Sequence, residues 1–465
     1  MAYKPNYHIY KLNSWINDPN GFTYFKGKYH LFAQCYPHAL KWGPMEWAHF
    51  TSKDLISWKD NGIALKGSED YDLEFGCFSG SSIVKDDILY ILYTGVSNGK
   101  QQQCLATSKD GKKFTKYEHN PVIGEKELPS EYQISDFRDP KVILHDGVYY
   151  VLVGAKHKDN SAHILLFKSK DLLHYEFVNS IYRYESKKGG MMECPDLFFY
   201  KDKCVLIYCP QFDKTRSNQL KNIHGCYYVV GNLDFIKGTF TPISKPRLVD
   251  QGFDYYATQT LTRKNKTYLV AWQSMWDRNY PTIKENYVGQ MTSIREVKIK
   301  NGKLYQSFLK GISKYYSDEY VKDEIKVNHI YQEDDIRNRL VRLTFDLMIN
   351  QGDKAEITLN DSLTINIDKS HKIIELNRSN MDEDIINNDG SKSIIRRIKY
   401  IGRKPSIHFD ILIDNSCIEI LINNGKYAAS VLNYKNNGKL FKVNYFDGEG
   451  SLLNYRRYYL RGKEE

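Results

Sequence analysis

The sequence predicts an all-β protein, a five-bladed β-propeller followed by a C-terminal β-sandwich. Three observations lead there. Short alternating apolar runs separated by turn residues fill the chain. Five segments of the first two thirds resemble one another, and beyond them the repetition stops while the alternation continues. The five are DPNGFTYFKGKYHLFAQ (18–34), FSGSSIVKDDILYILYTG (78–95), RDPKVILHDGVYYVLVG (138–154), CPDLFFYKDKCVLIYCP (194–210) and YATQTLTRKNKTYLVAW (256–272). Each reads as a short strand, a polar turn and a longer aromatic and aliphatic strand, recurring about every 55 to 63 residues.

A second repeat fills the gaps: TSKDLISW (51–58), TSKDGKKF (107–114), KSKDLLHY (168–175) and GNLDFIKG (231–238). It reads as a further turn joining two outer strands. Four strands per unit and five units describe a propeller, whose radial repetition also protects strand edges. SIREVKIKNGKLYQSF (293–308) reads as a closing strand pair, and GISKYYSDEYVKDE (311–324) as a charged linker. The expected division is a propeller over 1–311, a linker over 312–324 and a sandwich over 325–465. The sandwich strands read RLVRLTFDLMI, AEITLNDSLTINI and SIHFDILIDNSCIEILINNGKYAASV.

Composition agrees with packed domains. The 465 residues are 41% hydrophobic and 14% aromatic, with 37 Tyr, which is ample for cores and argues against long disordered regions. No apolar run reaches the length of about 18 residues that a membrane-spanning helix needs, so no membrane is expected as a partner. The opening MAYKPNYHIYKLNSW has one early Lys but neither an apolar stretch nor a small-residue cleavage site, so the expected location is cytoplasmic. The eight Cys are scattered without C-x-x-C or zinc spacing, which predicts reduced thiols and no metal. The net charge of +10 is spread over the chain without a nucleic-acid motif, so no nucleic acid is expected and a solvated Lys-rich surface is the plain reading.

Asp18, Asp139 and Glu193 each stand, on this reading, immediately before the first strand of units one, three and four, beside the turns NDP, RDP and ECPD. In a propeller that strand lines the central channel. The three carboxylates are therefore expected to converge at one mouth, although each alone would pass for an ordinary turn acid. Converging carboxylates in an aromatic-lined mouth suit hydrolysis of a glycosidic bond. The acid of such a pair needs a raised pKa, and two carboxylates beside Glu193 are expected to favour its protonated form. Trp15, Trp42, Trp47, Trp272 and Trp276 serve either as blade packing or as platforms for sugar faces. No P-loop, G-x-S-x-G or H-E-x-x-H motif supports another chemistry.

With these motifs the sequence resembles glycoside hydrolase family 32, the β-fructofuranosidases, which include invertases, sucrose-6-phosphate hydrolases and fructan hydrolases. WINDPNG (15–21), FRDP (137–140) and ECPD (193–196) carry the resemblance. It implies Asp18 as nucleophile, Asp139 as the residue that holds fructose hydroxyls and stabilises the transition state, and Glu193 as general acid/base. It also implies a fructose pocket of Trp15, Asn17, Gln34, Trp42, Phe78, Ser79, Arg138 and Trp272. IDNSCIEIL (413–421) is similar to the family's D-x-S-x-E motif, in a C-terminal domain read as structural and as the expected seat of any homo-oligomer. The implied mechanism is double displacement with retention and needs no metal or organic cofactor.

The implied substrate is a small β-fructoside, sucrose or sucrose 6-phosphate. A fructan exo-hydrolase or fructosyltransferase is the alternative within the same chemistry. A non-catalytic sugar-binding propeller would lack one of the carboxylates, and all three are present. An inverting arabinanase-type enzyme is disfavoured by the NDPNG and ECPD contexts. Ala33, Glu46, Ala48 and Thr258, in the YATQ of 256–259, depart from the family pattern and are not expected to touch the three acids. Lys41, Lys156, His157, Lys214 and Arg216 are the candidate phosphate contacts.

Overall fold

The computed structural model describes residues 2–185, 189–212, 222–333, 339–402 and 405–462. Among these, strands dominate and helix is confined to two short 3-10 segments, Pro281–Glu285 and Lys310–Tyr315. Five antiparallel sheets form the blades of a propeller. Their innermost strands are Ser14–Phe25, Gly76–Lys85, Tyr132–His145, Met192–Tyr200 and Tyr256–Arg263.

Local chemistry explains the repeat. In blades 1, 2, 3 and 5 the two inner strands are joined by two-residue turns with positive φ at both positions: Lys26-Gly27, Asp86-Asp87, Asp146-Gly147 and Lys264-Asn265. Such turns match the twist of the strands they join. The second repeat is an Asx turn between the outer strands. Asp54, Asp110, Asp171 and Asp234 each accept the backbone N–H groups two and three residues on, at 2.8–3.0 Å. The pair expected to close the ring, within 293–308, forms the two outer strands of blade 5, Arg295–Lys300 and Lys303–Phe308. The ring is joined where Tyr287–Val288 runs parallel to Ser14–Trp15.

All five inner strands carry a bulge at one equivalent place, where the pairing register shifts against the second strand. Asp18, Asp139 and Glu193 lie at these bulges, inside their strands and not ahead of them as the sequence reading had it. Bulges re-aim side chains, which is how an inner strand can point a carboxylate into the channel mouth. One step deeper, neighbouring blades are stapled together: Lys141 Nζ lies 2.6 Å from Asp196 Oδ2, and Gly80 N donates to Asn20 Oδ1 at 3.1 Å.

The second domain is one hydrogen-bonded sheet of ten strands folded into two leaves. The long strand Phe441–Leu460 makes the fold, because residues 441–446 pair with Lys354–Leu359 and residues 450–459 with Val341–Ile349. Leu343, Phe345, Ile357, Ile365, Phe409 and Ile420 fill the space between the leaves, all without solvent exposure. The segment expected as a linker, 312–324, ends the second 3-10 turn and then enters strand Tyr316–Glu333, which pairs along Phe441–Leu460. That strand borders the sheet and is mostly exposed, so its charges sit in water, as suits a sheet edge.

The two domains are joined by buried ion pairs. His8 Nδ1 lies 2.7 Å from Asp414 Oδ2 and its Nε2 2.9 Å from Glu419 Oε1. Arg295 bridges Glu419 and Asp250 at 2.8 and 3.0 Å. The D-x-S segment is thus a clasp between domains, with Ser416 Oγ donating to Gln290 Oε1. All eight cysteines are buried free thiols. Among the described residues no helix is long and apolar enough to cross a membrane, and no group of three His, Cys, Asp or Glu has metal-binding geometry.

Candidate active site

The bulges bring Asp18, Asp139 and Glu193 together. Cys194, which follows Glu193, is the meeting point: its backbone N–H donates to Asp139 Oδ2 at 2.9 Å, and its thiol lies 3.4 Å from Asp18 Oδ2. Cys194 and Asp139 both adopt positive φ, 47° and 68°, a backbone state that costs energy in residues other than glycine and often marks a functional position.

Each carboxylate has its own partners. Asp18 is 6% exposed and accepts the Ser79 hydroxyl at 2.6 Å and the Asn17 amide at 3.1 Å. Asn17 is in turn held by Trp15 Nε1 at 2.9 Å and donates to Gln34, while Gln34 donates to Ser79. Asp139 is held by the Cys194 N–H, and its own N–H donates to Thr94 Oγ1 at 2.9 Å. Glu193 receives Arg138 Nη2 at 2.8 Å, Gln211 Nε2 at 3.0 Å and the Tyr256 hydroxyl. Its side chain keeps 15% exposure, enough to meet a ligand at the mouth.

The electrostatics differ from the expectation. Burial, reinforced by Glu193, raises the pKa of Asp18 against the opposing Ser79 hydrogen bond. Asp139 is pushed up to about 7 by burial and by the charges of Glu193 and Asp18, with Arg138 opposing. Burial would raise Glu193 too, but Arg138, His224 and Tyr256 outweigh it and hold the carboxyl below its ordinary value. Of these two acids, Asp139 therefore holds a proton more readily than Glu193. The neighbouring acids were expected to protonate Glu193; the guanidinium beside it wins because it is in direct contact.

The expected pocket residues divide by burial. Trp42 is 39% exposed and stands edge-on to the half-buried Phe78, ring centroids 6.1 Å apart, at the rim. Trp15, Gln34, Ser79 and Arg138 retain slight exposure beside the carboxylates. Asn17 and Trp272 are wholly buried, directly behind the residues that line the mouth. Asn17 aligns Asp18. Trp272 backs Trp15 and the half-buried Trp276, at 5.9 and 5.1 Å. Trp47 is buried as well and supports Phe78 by donating to its carbonyl at 3.1 Å.

Tyr256 and Gln211, which donate to Glu193, and Thr94, which accepts the Asp139 N–H, were missed. Tyr256 occupies, in blade 5, the place that Glu193 occupies in blade 4 and Arg138 in blade 3. Aligning the five bulge segments by that place would have found it. Of the candidate phosphate contacts, Lys41 is exposed next to Trp42, and His157 is paired with Asp159 at 2.9 Å. Lys156 is half-buried. Lys214 and Arg216 lie outside the described residues.

A five-bladed propeller with three carboxylates at one mouth and a C-terminal sandwich is the architecture of a glycoside hydrolase. The chain belongs to glycosyl hydrolases family 32: the family's N-terminal domain matches residues 8–307 and its C-terminal domain residues 314–454. The sucrose-6-phosphate hydrolase of Bacillus subtilis (strain 168) is 32% identical over 449 residues, 92% of this chain and 88% of that one. The structure of sucrose-6-phosphate hydrolase from Lactobacillus gasseri superposes with a TM-score of 0.87 at 29% identity, covering 99% of this chain and 94% of that one. A Bombyx mori β-fructofuranosidase of the same family gives 0.83 at 29% identity, with the same coverage.

Proposed function

We propose that the protein hydrolyses the β-fructofuranosidic bond of sucrose or sucrose 6-phosphate with retention, through a covalent fructosyl-enzyme. The observation that carries this is the convergence of Asp18, Asp139 and Glu193 around Cys194. Asp18, which accepts from Ser79, Asn17 and the Cys194 thiol, attacks the anomeric carbon. Glu193 delivers a proton to the leaving oxygen and afterwards takes one from water. Asp139 holds fructose hydroxyls and stabilises charge as it develops.

The electrostatics add a requirement to the first half-reaction. Arg138 holds Glu193 toward its ionised form, so substrate must supply the change that protonates it. A sugar seated over Glu193 displaces water and competes for Arg138 and Gln211, which removes donors from the carboxylate. Asp139, with its pKa near neutrality, is the neighbouring acid from which the site can be recharged. Retention predicts that the two reacting carboxyls stand about 5 to 5.5 Å apart when engaged.

The substrate is read as the phosphorylated or the plain disaccharide because relatives 29% and 32% identical, from Zymomonas mobilis and Bacillus subtilis, are named sucrose-6-phosphate hydrolases. The test compares kcat/KM for sucrose, sucrose 6-phosphate and inulin. Preference for either disaccharide supports the reading. Preference for inulin moves it to fructan breakdown, and no turnover of any β-fructoside overturns it.

A further inference from the structure

Away from the carboxylates, a cleft of about 580 Å³ opens between blade 4, the end of blade 5 and the C-terminal domain. Five of the residues lining it are cations: Lys245, Arg247, Lys303, Lys399 and Lys426. None of the lining residues is acidic. Among the described residues no ion pair neutralises any of the five; the Lys426 ammonium donates to the Ile401 carbonyl at 2.8 Å and lies 5.2 Å from the centre of the Tyr427 ring.

The cations are placed by the fold. Lys426 follows Gly425, whose φ of 77° and close approach to Gln306 leave no room for a side chain: a Cβ there would stand 1.6 Å from the Gln306 carbonyl oxygen. Gln306 N donates back to Gly425 O at 2.9 Å, which pins the loop of the C-terminal domain against blade 5, where Lys303 begins the outer strand. The next residue, Tyr427, accepts the Ile401 N–H at 2.7 Å. Lys303 is held below the usual ammonium range by burial and by Lys426 and Arg247, and Lys426 by burial and Arg247. Like charges are thus held together with no carboxylate among the described lining residues, an arrangement that a bound anion relieves.

We propose that this cleft is a second binding site, separate from the fructoside site, for a small phosphate ester such as a sugar phosphate. Arg247, Lys303 and Lys426 receive the phosphate, with the Arg fork suited to two of its oxygens. Tyr208 and Tyr227, stacked at 6.1 Å, and Tyr427 offer the wall against which the organic part lies. The volume of this open cleft is that of a small-molecule site and too small for a folded partner.

Calorimetry on the full-length protein, with inorganic pyrophosphate and with glucose 6-phosphate as probes and glucose as uncharged control, tests this. The expected result is saturable binding of both anions, one per chain, and none of glucose. In the double variant Lys303→Gln/Lys426→Gln binding falls at least about tenfold while sucrose turnover and thermal stability are unchanged. Absence of saturable anion binding up to about 10 mM would overturn the proposal. So would binding that the double variant leaves intact, which would place the anion elsewhere, or binding that saturating fructose displaces.

Discussion

Arg138 Nη2 and Glu193 Oε1 lie 2.8 Å apart, across the inner strands of neighbouring blades. The two residues hold the same place in successive bulges, so the fivefold repeat itself makes the contact. The pair holds Glu193 toward its ionised form, although burial alone would raise its pKa. Arg138→Gln removes that charge. The expected outcome is a fall in kcat/KM of about a hundredfold, from lost positioning, together with a shift of the alkaline limb of the pH profile to higher pH. The sign follows because Arg138 stabilises the ionised form; without it Glu193 holds its proton to higher pH. A profile of unchanged shape would show that Arg138 acts on substrate alone.

Tyr256 makes the same argument with a neutral donor. Its hydroxyl donates to Glu193 Oε2, and removing it leaves the ring and its packing in place. Tyr256→Phe is expected to lower kcat by about tenfold and move the alkaline limb in the same direction as Arg138→Gln, by a smaller amount. Rates across pH on sucrose measure both. A shift toward lower pH would contradict the assignment of Tyr256 as donor to a carboxylate.

Asp18→Asn keeps the size of the side chain and the Ser79 contact while removing the nucleophile. Turnover is expected to drop at least about a thousandfold with the fold intact by circular dichroism. The stereochemistry of the wild-type product gives a second reading: NMR early in the reaction should show β-fructofuranose before mutarotation. Initial release of the α-anomer would mean direct displacement by water and exclude a fructosyl-enzyme.

The repeat and the three acids were legible because both rest on local chemistry. Pairs such as Lys26-Gly27 must turn the chain, and Asp54 with its equivalents must bind the N–H groups that follow. What escaped depends on pairing and packing. Asp18, Asp139 and Glu193 sit inside strands because a bulge is a property of two paired strands, and one strand's sequence does not display it. Trp272 reads like any sugar-binding Trp until Trp15 and Trp276 cover it. Residues 316–324 read as a linker because an edge strand alternates little when both faces are mostly wet. Glu193 was expected to carry the proton because its acidic neighbours are visible in the motifs, whereas its contact with Arg138 is made only when blades 3 and 4 meet.

The clasp between domains yields the last prediction. His8 presents both ring nitrogens to carboxylates, Asp414 and Glu419, and its pKa is raised well above the ordinary value: burial opposes protonation, but Cys417 and the two carboxylates overcome it. A group raised in the folded state stabilises fully below its unfolded pKa, about 6.5, and loses that contribution as pH climbs through the folded value. Its partners behave oppositely. Glu419 is held down to about 2 because Arg295 and His8 outweigh its burial, so its contribution is lost only in strong acid. His8→Gln is expected to cost about 3 kcal/mol near pH 6, since it leaves two buried carboxylates short of a cation. Differential scanning calorimetry should find the gap in Tm to wild type widest between about pH 5 and 7, narrowing steadily at alkaline pH as the wild-type imidazolium loses its proton. A gap that stays constant from pH 6 to 10 would mean that His8 holds the domains by shape and hydrogen bonding and carries no charge.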